Sequence, residues 1–568
     1  MGESGGASKK AKKGGMIANF PEWFKPREIQ QEIIGQIEER LASGYRTILL
    51  CAPTGVGKSL IGATFARNAE DSFTVTSSKH LQDQYIRDVP FLKPVKGKSN
   101  FPCLKIMKAE KIEADAEAMK KNMTCDRGTC KARVIEDGRE VIKTCEFKPR
   151  LGDVAAGVHD DNECHYYSQK YEALTAPHSL WNYAMYFQTI RYGQNAFARY
   201  LDREAAIFDE AHRIEDEMVR FVGYTAYAGQ MRECGIDPAS CNYESVDSLI
   251  SITDEMARAL LEKRQKIRDE DPENVDAISK LDTQIDSAER IRNDLKEDPS
   301  NFVVADPEMD EKGEIKSIAT YPVDVSRHAD SLLKADVRMF MSATIDKTNL
   351  CQTLGITYSD VAMVDVPRSP FDLDHRRVTL MPVRRLNYLS TEQDELAVIK
   401  VIGNLMETHK AERGIILTSS VVRCHNIVNN LPKAHAARVR ICHSNNRGGM
   451  TQAEVIEEHK ADPHGVLLSS SLWEGVDLSD DQSRFQIIAK MPYPPLTDRR
   501  VKAKKEKFPL WYKSQTIKKF LQGLGRSVRG PEDWAATYVL DGSVESLLRS
   551  DHMIPRAYHD ALKIGAYA

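Results

Sequence analysis

A short glycine-containing segment limits the fold of this chain more than any other feature. Ala52-Pro53-Thr54-Gly55-Val56-Gly57-Lys58-Ser59 follows the apolar run 47–50 and precedes a stretch with helical spacing. Glycines in such a turn let backbone N–H groups point inward at a helix start, which is an arrangement that binds phosphate. Ala52 stands where the strict phosphate-loop pattern has its first glycine, and an ordinary turn is the alternative. The order of strand, glycines, lysine and serine favours a nucleotide-binding loop.

This loop predicts bound ATP and Mg²⁺. Lys58 would reach the β- and γ-phosphates, and the hydroxyl of Ser59 would bind Mg²⁺. The turn before them would enclose the phosphate oxygens with Thr54, Gly55, Val56 and Gly57.

Seven short apolar segments predict buried strands. Most are continuous rather than alternating, which is typical of sheets covered on both faces, and helical stretches lie between many of them. The pattern predicts parallel sheets in two doubly wound α/β domains, one before about residue 370 and one after. The segments are 47–50, 206–208, 339–341, 414–417, 466–468, 485–488 and 538–540.

An acidic pair ends the second of these strands. Asp209 and Glu210 directly follow Ile207-Phe208, at the strand end where α/β sheets place functional residues. Asp209 would hold Mg²⁺ through water, and Glu210 would orient and polarise the attacking water. His212 would link the ATP site to the second domain. A solvated helix start is the alternative for such a tetrapeptide on its own.

Two later segments complete the set of motifs. Met341-Ser342-Ala343-Thr344 again ends a predicted strand. Gln522-Gly-Leu-Gly-Arg526-Ser-Val-Arg529 places two arginines three positions apart, on one helix face. Such a pair can stabilise charge that develops on a γ-phosphate. Taken alone, this segment would instead favour surface arginines.

Composition gives no sign of a nucleic-acid partner. The chain has 79 Lys and Arg against 83 Asp and Glu, a net charge of −4, so any such binding would depend on local patches. No apolar run approaches the roughly 18 residues of a membrane helix. Residues 1–15 lack the apolar stretch of a secretory signal and are predicted to be a disordered tail.

Five of the eleven cysteines lie within residues 99–165, a charged stretch with little strand character. Without a signal peptide, a metal or cluster site is favoured over disulfides. An iron–sulfur cluster needs four thiolates; a Zn²⁺ site and a set of free thiols are the alternatives. The candidates are Cys103, Cys125, Cys130, Cys145 and Cys164.

A second unusual region, residues 215–317, contains a predicted helical hairpin. Apolar residues recur every three or four positions within 244–268 and again within 275–296. Asp271-Pro272-Glu273-Asn274 separates the two stretches, as a turn would.

In this order, the motifs resemble those of superfamily-2 helicases, over about residues 20–545. The resemblance implies two RecA-like domains that bind ATP at their interface. It further implies that Arg27 and Gln30 contact adenine, and that Lys79 and Gln82 contact a nucleic-acid strand. Leu472-Trp-Glu-Gly-Val-Asp-Leu478 resembles another helicase motif. The residues that would couple ATP to movement are His212, Ser342, Thr344, Glu474 and Asp477.

The two insertions resemble those of the XPD/DinG group of iron–sulfur DNA helicases. Lys96-Gly-Lys-Ser-Asn-Phe-Pro-Cys103 resembles the approach to the first cluster cysteine, and Glu163-Cys164-His165-Tyr166-Tyr167 resembles the approach to the last. The resemblance implies a [4Fe–4S] cluster on Cys103 and Cys164, with two of Cys125, Cys130 and Cys145. The implied domains are a first RecA-like domain (16–98, 166–214 and 318–377), the cluster insertion (99–165), an Arch-like insertion (215–317) and a second RecA-like domain (378–568).

A basic run provides candidate DNA contacts. It follows Met491-Pro-Tyr-Pro-Pro495, and a solvated charged helix is an equally favoured interpretation. The candidates are Arg499, Arg500, Lys502, Lys504 and Lys505. Tyr166, Tyr167, Trp181 and Trp473 could stack on bases, although core packing is favoured for each of them alone.

The family resemblance implies an ATP- and Mg²⁺-dependent helicase or translocase that moves 5′→3′ on single-stranded or forked DNA. It would act as a monomer without membrane contact. The setting would be bacterial, phage or archaeal cytoplasm, or the nucleus in a eukaryote; DNA repair is one of several processes that use such motors. An RNA-directed DEAH-box ATPase and a redox-responsive nucleic-acid-binding module with little motor activity are the alternatives. The cysteine insertion counts against the first, and the intact motif set counts against the second.

Overall fold

The computed structural model describes residues 15–136, 139–160, 162–272, 274–443 and 450–563. The predicted tail, residues 1–15, lies outside these ranges apart from Gly15. Within the described ranges, no helix is both long and apolar enough to cross a membrane.

The chain up to residue 94 alternates helices and strands. β1 (Thr47–Cys51) and β2 (Ser72–Thr76) are buried at every position, so both faces of their sheet are covered. The other elements of this part are α1 (Glu28–Ala42), α2 (Lys58–Asn68), α3 (Lys79–Asp88) and β3 (Lys93–Pro94).

The cysteine-bearing insertion has short helices and one antiparallel hairpin. The hairpin was not evident in the sequence, because its strands mix charged and apolar residues without a clean alternation. The elements are α4 (Leu104–Glu110), α5 (Asp115–Lys120), β4 (Lys131–Glu136), β5 (Arg139–Thr144) and α6 (Leu151–Ala155). The chain then returns to the first sheet through α7 (His165–Thr175), β6 (His178–Asn182), α8 (Tyr183–Tyr192), α9 (Gln194–Leu201) and β7 (Ala205–Asp209).

The second insertion combines the predicted helical hairpin with a small antiparallel sheet. Two long helices confirm the periodicity prediction, and the strands show that the insertion is not purely helical. The elements are α10 (Ile214–Val222), β8 (Tyr224–Tyr227), α11 (Ala228–Glu233), α12 (Val246–Glu270), α13 (Val275–Glu297), β9 (Phe302–Val304), β10 (Glu308–Met309) and β11 (Ile315–Pro322). β11 pairs with β8, β9 and β10, and it continues past residue 317, the predicted end of this insertion.

The first sheet is completed by α14 (Ser326–Leu332), β12 (Val337–Ser342), α15 (Lys347–Leu354) and β13 (Val361–Asp365). Its strand order is β13-β1-β12-β7-β2-β6-β3, and all its pairs are parallel. The strands on either side of the cysteine insertion, β3 and β6, are hydrogen-bonded neighbours. So are β7 and β12, on either side of the second insertion. Each insertion therefore takes the place of one crossover connection.

The second domain has its own parallel sheet, in the order β14-β19-β18-β15-β17-β16. Its elements are β14 (Val378–Arg384), α16 (Glu392–Thr408), β15 (Gly414–Leu417), α17 (Val421–Asn430), α18 (Lys433–Ala436), β16 (Val439–Ile441), α19 (Gln452–Ala461), β17 (Val466–Ser469), β18 (Phe485–Ile488), α20 (Arg499–Lys507), α21 (Pro509–Leu524), β19 (Ala536–Asp541) and α22 (Val544–Leu548). All seven predicted strand segments are strands. The predicted fold class, two RecA-like α/β domains with insertions in the first, is confirmed.

The two insertions contact each other. The hydroxyl of Ser279, on α13, donates to the carbonyl of Lys131 at 2.6 Å. Lys105 pairs with Asp276 at 2.7 Å, and Arg133 pairs with Asp286 at 3.0 Å. The cysteine insertion and the helical hairpin are thus joined by direct hydrogen bonds and ion pairs.

Candidate ATP site and cysteine cluster

The glycine loop lies between the carboxyl end of β1 and the start of α2. Gly55 and Gly57 adopt left-handed backbone angles, with φ of 87° and 83°, which other residues rarely adopt. A Cβ on Gly55 would also lie 2.5 Å from Cζ of Phe371, in the segment between the two domains. Nζ of Lys58 donates to the carbonyl of Ala52 at 3.1 Å, so the ammonium folds back over the loop. The local geometry is that of a phosphate-binding turn.

Arg27, which precedes α1, and Gln30, in its first turn, support this loop. Both side chains donate to the carbonyl of Val56, Gln30 at 3.1 Å, and Oε1 of Gln30 accepts from the backbone N–H of Arg27. Gln30 is almost fully buried. In this structure, the two side chains therefore fix the loop backbone, and their contact with adenine stays a prediction.

The acidic pair stands at the end of β7, beside the loop. Asp209 is buried, and its Oδ2 accepts a hydrogen bond of 2.9 Å from the hydroxyl of Tyr85. Glu210 has a left-handed backbone, with φ of 51°, which is uncommon for a residue with a side chain. Burial and the charge of Glu210 raise the pKa of Asp209. Burial also acts to raise the pKa of Glu210, but His212 and Lys58 outweigh it and the pKa is lowered.

His212 connects the acidic pair to the neighbouring strand. Its Nδ1 lies 2.9 Å from Oγ of Ser342 and 3.1 Å from Oε2 of Glu210. Oγ of Ser342 also accepts from the backbone N–H of Thr344 at 3.2 Å. The pairing of β7 with β12 brings these segments together, because Met341 stands opposite Asp209.

The arginine pair follows α21 in the second domain and faces this edge of the first sheet. Nη1 of Arg526 donates to the carbonyl of Val476, and Arg529 forms an ion pair with Asp477. Burial, with the nearby charge of Arg529, lowers the pKa of Arg526 to about 10, and the charges of Asp477, Glu474 and Glu210 oppose this shift. A cavity lies between this segment and the glycine loop, lined by Pro53 and Thr54 on one side and by Gly525 and Val528 on the other. Glu474 lies half-buried in the same loop as Asp477, and Oε1 of Gln522 is buried without a protein partner among the described residues.

The two residues predicted to contact a nucleic-acid strand, Lys79 and Gln82, differ in their exposure to solvent. Lys79 is exposed, and its Nζ donates to Oδ1 of Asn100 at 2.9 Å. Gln82 is buried and donates to the carbonyl of Val95 at 3.1 Å, so its amide is occupied within the first domain.

The structure also changes the interpretation of the basic run, which forms α20. Lys502 and Lys505 are exposed, as a phosphate contact requires. Lys504 is instead buried, and both Arg500 and Lys504 form ion pairs with Glu215 of α10. Arg499 pairs with Asp306 of the second insertion at 3.0 Å. Arg500 and Lys504 therefore face protein in this structure, which corrects the prediction for these two residues. Trp181 and Trp473 are likewise buried and do not present faces to a base.

All five predicted cysteines line one cavity in the insertion. Cys103, Cys125 and Cys164 are buried, and the Sγ atoms of Cys125 and Cys164 are 3.8 Å apart. Cys130 and Cys145 are half-buried and adjacent, since the backbone N–H of Cys145 donates to the carbonyl of Cys130. Hydrogen bonding from Cys125 lowers the pKa of Cys103 and of Cys164 to about 6, which favours their thiolates.

The chemistry of this cavity fits a thiolate-bound metal group. A Cβ on Gly128 would lie 2.4 Å from Sγ of Cys103, so only glycine fits at this position. Within the described ranges, however, no three His, Cys, Asp or Glu side chains are placed closely enough to hold a single metal ion. All five thiols line the same cavity, and four thiolates are the ligand set of an iron–sulfur cluster.

Comparisons with known proteins agree with this fold. The family model described as "Helicase C-terminal domain" matches residues 402–557. The model described as "Type III restriction enzyme, res subunit" matches residues 23–234. Together with the two RecA-like sheets, these matches support an ATP-hydrolysing helicase.

Relatives that match along the whole chain are more specific. The chain is 22% identical to "ATP-dependent DNA helicase YoaA" of Haemophilus influenzae, over 91% of each chain, and 22% identical to the protein of the same name from Escherichia coli, over 93% of each. The solved structure "XPD_Helicase" has a TM-score of 0.58 at 15% identity and covers 93% of this chain and 98% of its own. "Structure of S. tokodaii Xpd4" has a TM-score of 0.52 at 13% identity, over 95% and 98%. Along its length the chain is therefore similar to ATP-dependent DNA helicases, and its fold is similar to that of XPD.

Proposed function

We propose that this protein is an ATP-dependent DNA helicase or translocase that moves 5′→3′ on single-stranded DNA. The observation that carries the proposal is a cavity between the domains, lined by Pro53 and Thr54 of the glycine loop and by Gly525 and Val528 of the arginine segment. Nucleotide bound there would contact both domains, so hydrolysis would change how they are held together. The names of the relatives, which are ATP-dependent DNA helicases, support DNA as the substrate.

The residues divide the chemistry of hydrolysis between the two domains. Lys58 would bind the β- and γ-phosphates, with Ser59 and Asp209 placed to hold Mg²⁺. Glu210, whose pKa is lowered, would stay charged and orient the attacking water. Arg526 and Arg529 would balance the charge that develops on the γ-phosphate, with Gln522 beside them. The hydrogen bond between His212 and Ser342 would couple structural changes at the ATP site to β12, the strand beside β7.

We further propose that the cysteine cavity holds a [4Fe–4S] cluster. The three buried thiols, Cys103, Cys125 and Cys164, would be three ligands, and Cys130 or Cys145 would be the fourth. When bound, the cluster would supply cross-links among segments that have little hydrophobic core of their own. Zn²⁺ is the alternative occupant. Among the predicted DNA contacts, Lys79, Lys502 and Lys505 stay available.

The test is unwinding of matched DNA forks that carry only a 5′ or only a 3′ single-stranded tail. Anaerobically purified protein is supplied with ATP and Mg²⁺, and Lys58→Ala protein is the control for contaminating activity. We expect unwinding of the 5′-tailed fork alone. Unwinding of the 3′-tailed fork alone would contradict the polarity. ATP turnover that responds to RNA and not to DNA would instead favour an RNA-directed ATPase.

A further inference from the structure

A buried ion cluster surrounds Glu215, near the start of α10. The Glu215 side chain is 6% exposed, and its Oε1 lies 3.0 Å from Nη2 of Arg500 and 3.1 Å from Nζ of Lys504. Its Oε2 accepts a hydrogen bond of 2.8 Å from Nε1 of Trp511. The Glu215 carboxylate, which follows Asp209 and Glu210 in the sequence, therefore contacts three side chains of the second domain.

This contact is specific because its members are removed from water. The Lys504 side chain is 2% exposed, and its ammonium lies over the ring of Phe508. Removing one partner of a buried ion pair leaves the other charge uncompensated, which is far more costly than losing an exposed pair. Nε of Arg500 also donates to the carbonyl of Pro322, at the end of β11. Because Arg500 and Lys504 both pair with Glu215, the packing of α20 against α10 depends on the negative charge of Glu215.

The same contact is connected to the arginine pair through α21. Trp511 stands near the start of this 16-residue helix. Farther along, Nζ of Lys518 donates to the carbonyl of His212 at 3.1 Å. The helix ends at Leu524, just before Arg526, and spans about 24 Å. The Glu215 cluster, the acidic motif and the arginine pair therefore lie along one rigid element.

We propose that Glu215 is a positioning residue for ATP hydrolysis, which holds α20 and α21 on α10 and thereby sets the place of Arg526 relative to Glu210. This inference rests on the proposed ATPase function. Glu215 itself touches no nucleotide-binding residue of the glycine loop, which lies entirely in the first domain. Its loss should therefore lower kcat and leave the KM for ATP nearly unchanged.

The opposite assignment, in which Arg500 and Lys504 bind DNA phosphates, predicts a different result. Neutralising Glu215 would then free two cations, so DNA affinity would rise while kcat stayed the same. The two assignments thus differ in the sign of the DNA effect and in whether hydrolysis changes.

The experiment uses the full chain with Glu215→Gln, which keeps the shape and removes the charge. We expect kcat at saturating single-stranded DNA to fall about tenfold or more, with KM for ATP within about threefold of the original. Asp216→Asn is the matched control, because it removes the same charge from an exposed position next to Glu215. Its kcat should equal that of the original protein.

A second variant and a second measurement separate positioning from simple destabilisation. Adding Lys504→Met to Glu215→Gln removes one uncompensated cation and should restore kcat at least threefold over the single variant. Lys504→Met alone, which leaves Arg500 on Glu215, should lower kcat less than Glu215→Gln does. Small-angle X-ray scattering of the nucleotide-free proteins should give a larger radius of gyration for Glu215→Gln than for the double variant.

The scattering measurement does not depend on hydrolysis. A protein without ATP turnover would sink the proposed function, and the scattering curves would still decide whether Glu215 holds the domains. Identical curves for Glu215→Gln and the unaltered chain would overturn the inference, as would an unchanged kcat accompanied by tighter DNA binding.

Discussion

The hydroxyl of Tyr85 donates a hydrogen bond of 2.9 Å to Oδ2 of Asp209, and both residues are buried. Tyr85 belongs to α3, the helix that begins at Lys79, whereas Asp209 ends β7. The proposed metal carboxylate is therefore oriented by a helix whose first residue is a candidate DNA contact. A movement of that helix on DNA would act directly on Asp209.

Tyr85→Phe should lower ATP turnover and raise the Mg²⁺ concentration needed for half-maximal rate. Removing a donor to a charged carboxylate costs about 1.5–3 kcal/mol, so kcat should fall by roughly ten- to hundredfold. Tyr183→Phe is the control, because its hydroxyl bonds to the backbone carbonyl of Asp209 and not to the carboxylate. Equal Mg²⁺ dependence in the two variants would contradict the role of Tyr85.

Lys58→Ala should abolish ATP turnover, because the phosphates lose their charged partner in the loop. We expect a fall of about 100-fold or more, measured as phosphate release with saturating single-stranded DNA. Lys266→Ala removes an exposed lysine of the helical hairpin and serves as the control. Normal hydrolysis by Lys58→Ala would mean that the glycine loop is not the ATP site.

Serine substitutions of the cysteines should divide into two groups by iron content and visible absorbance. Cys103→Ser, Cys125→Ser and Cys164→Ser should lose the absorbance, because each removes a buried thiol of the cavity. Cys241→Ser, in the second insertion, should keep it. Cys103→Ser should also lose unwinding while it retains some ATP hydrolysis. Full iron content in Cys125→Ser would make Cys130 and Cys145 the two remaining ligands.

The exposed lysines of α20 should carry whatever DNA contact this helix makes. Lys502→Ala with Lys505→Ala should weaken single-stranded DNA binding and reduce its dependence on salt, because fewer counterions are released. The readout is the slope of the logarithm of affinity against the logarithm of salt concentration. An unchanged slope would show that α20 is simply a charged helix in solvent.

The ion cluster of Glu215 should make stability depend on pH in the acid range. Burial raises the pKa of Glu215, but Lys504 and Arg500 lower it more, so the folded value lies below the ordinary 4.5. The stabilisation is therefore complete above pH 4.5 and is lost as the pH falls through the folded pKa. Glu215→Gln should reduce unfolding free energy by about 3 kcal/mol at pH 7. The difference between the two proteins should shrink below pH 4.5; a difference independent of pH would contradict this origin.

The strands that the sequence predicted are those with continuous apolar runs. β2 and β6 were missed because polar residues interrupt them. Ser72, Thr74 and Thr76 are fully buried in β2, and Ser72 bonds to His178 of β6 at 3.0 Å. The Ser72 hydroxyl bonds to a residue that only the fold brings near, whereas the hydroxyls of Thr74 and Thr76 are buried without a hydrogen-bond partner among the described residues. A pattern of apolar residues cannot detect such strands.

The candidate functional residues likewise fall into those that could be predicted from the sequence and those that could not. Residues within a motif, such as Lys58 and Asp209, could be assigned from spacing because neighbours in the chain set their geometry. Glu215 could not, since its partners follow it by nearly 300 positions and it stands in an ordinary acidic run with Asp216 and Glu217. The basic run was detected, but its division into exposed and buried cations depends on which face of α20 meets α10.

The placement of the two insertions has a consequence for how proteins of this kind diversify. Each insertion joins two strands that are already hydrogen-bonded neighbours, β3 with β6 and β7 with β12. The register of the sheet therefore does not depend on the length or content of either insertion. Evolution can lengthen, shorten or replace these attachments without rebuilding the motor, and an engineer could exchange them between distant relatives at the same two junctions.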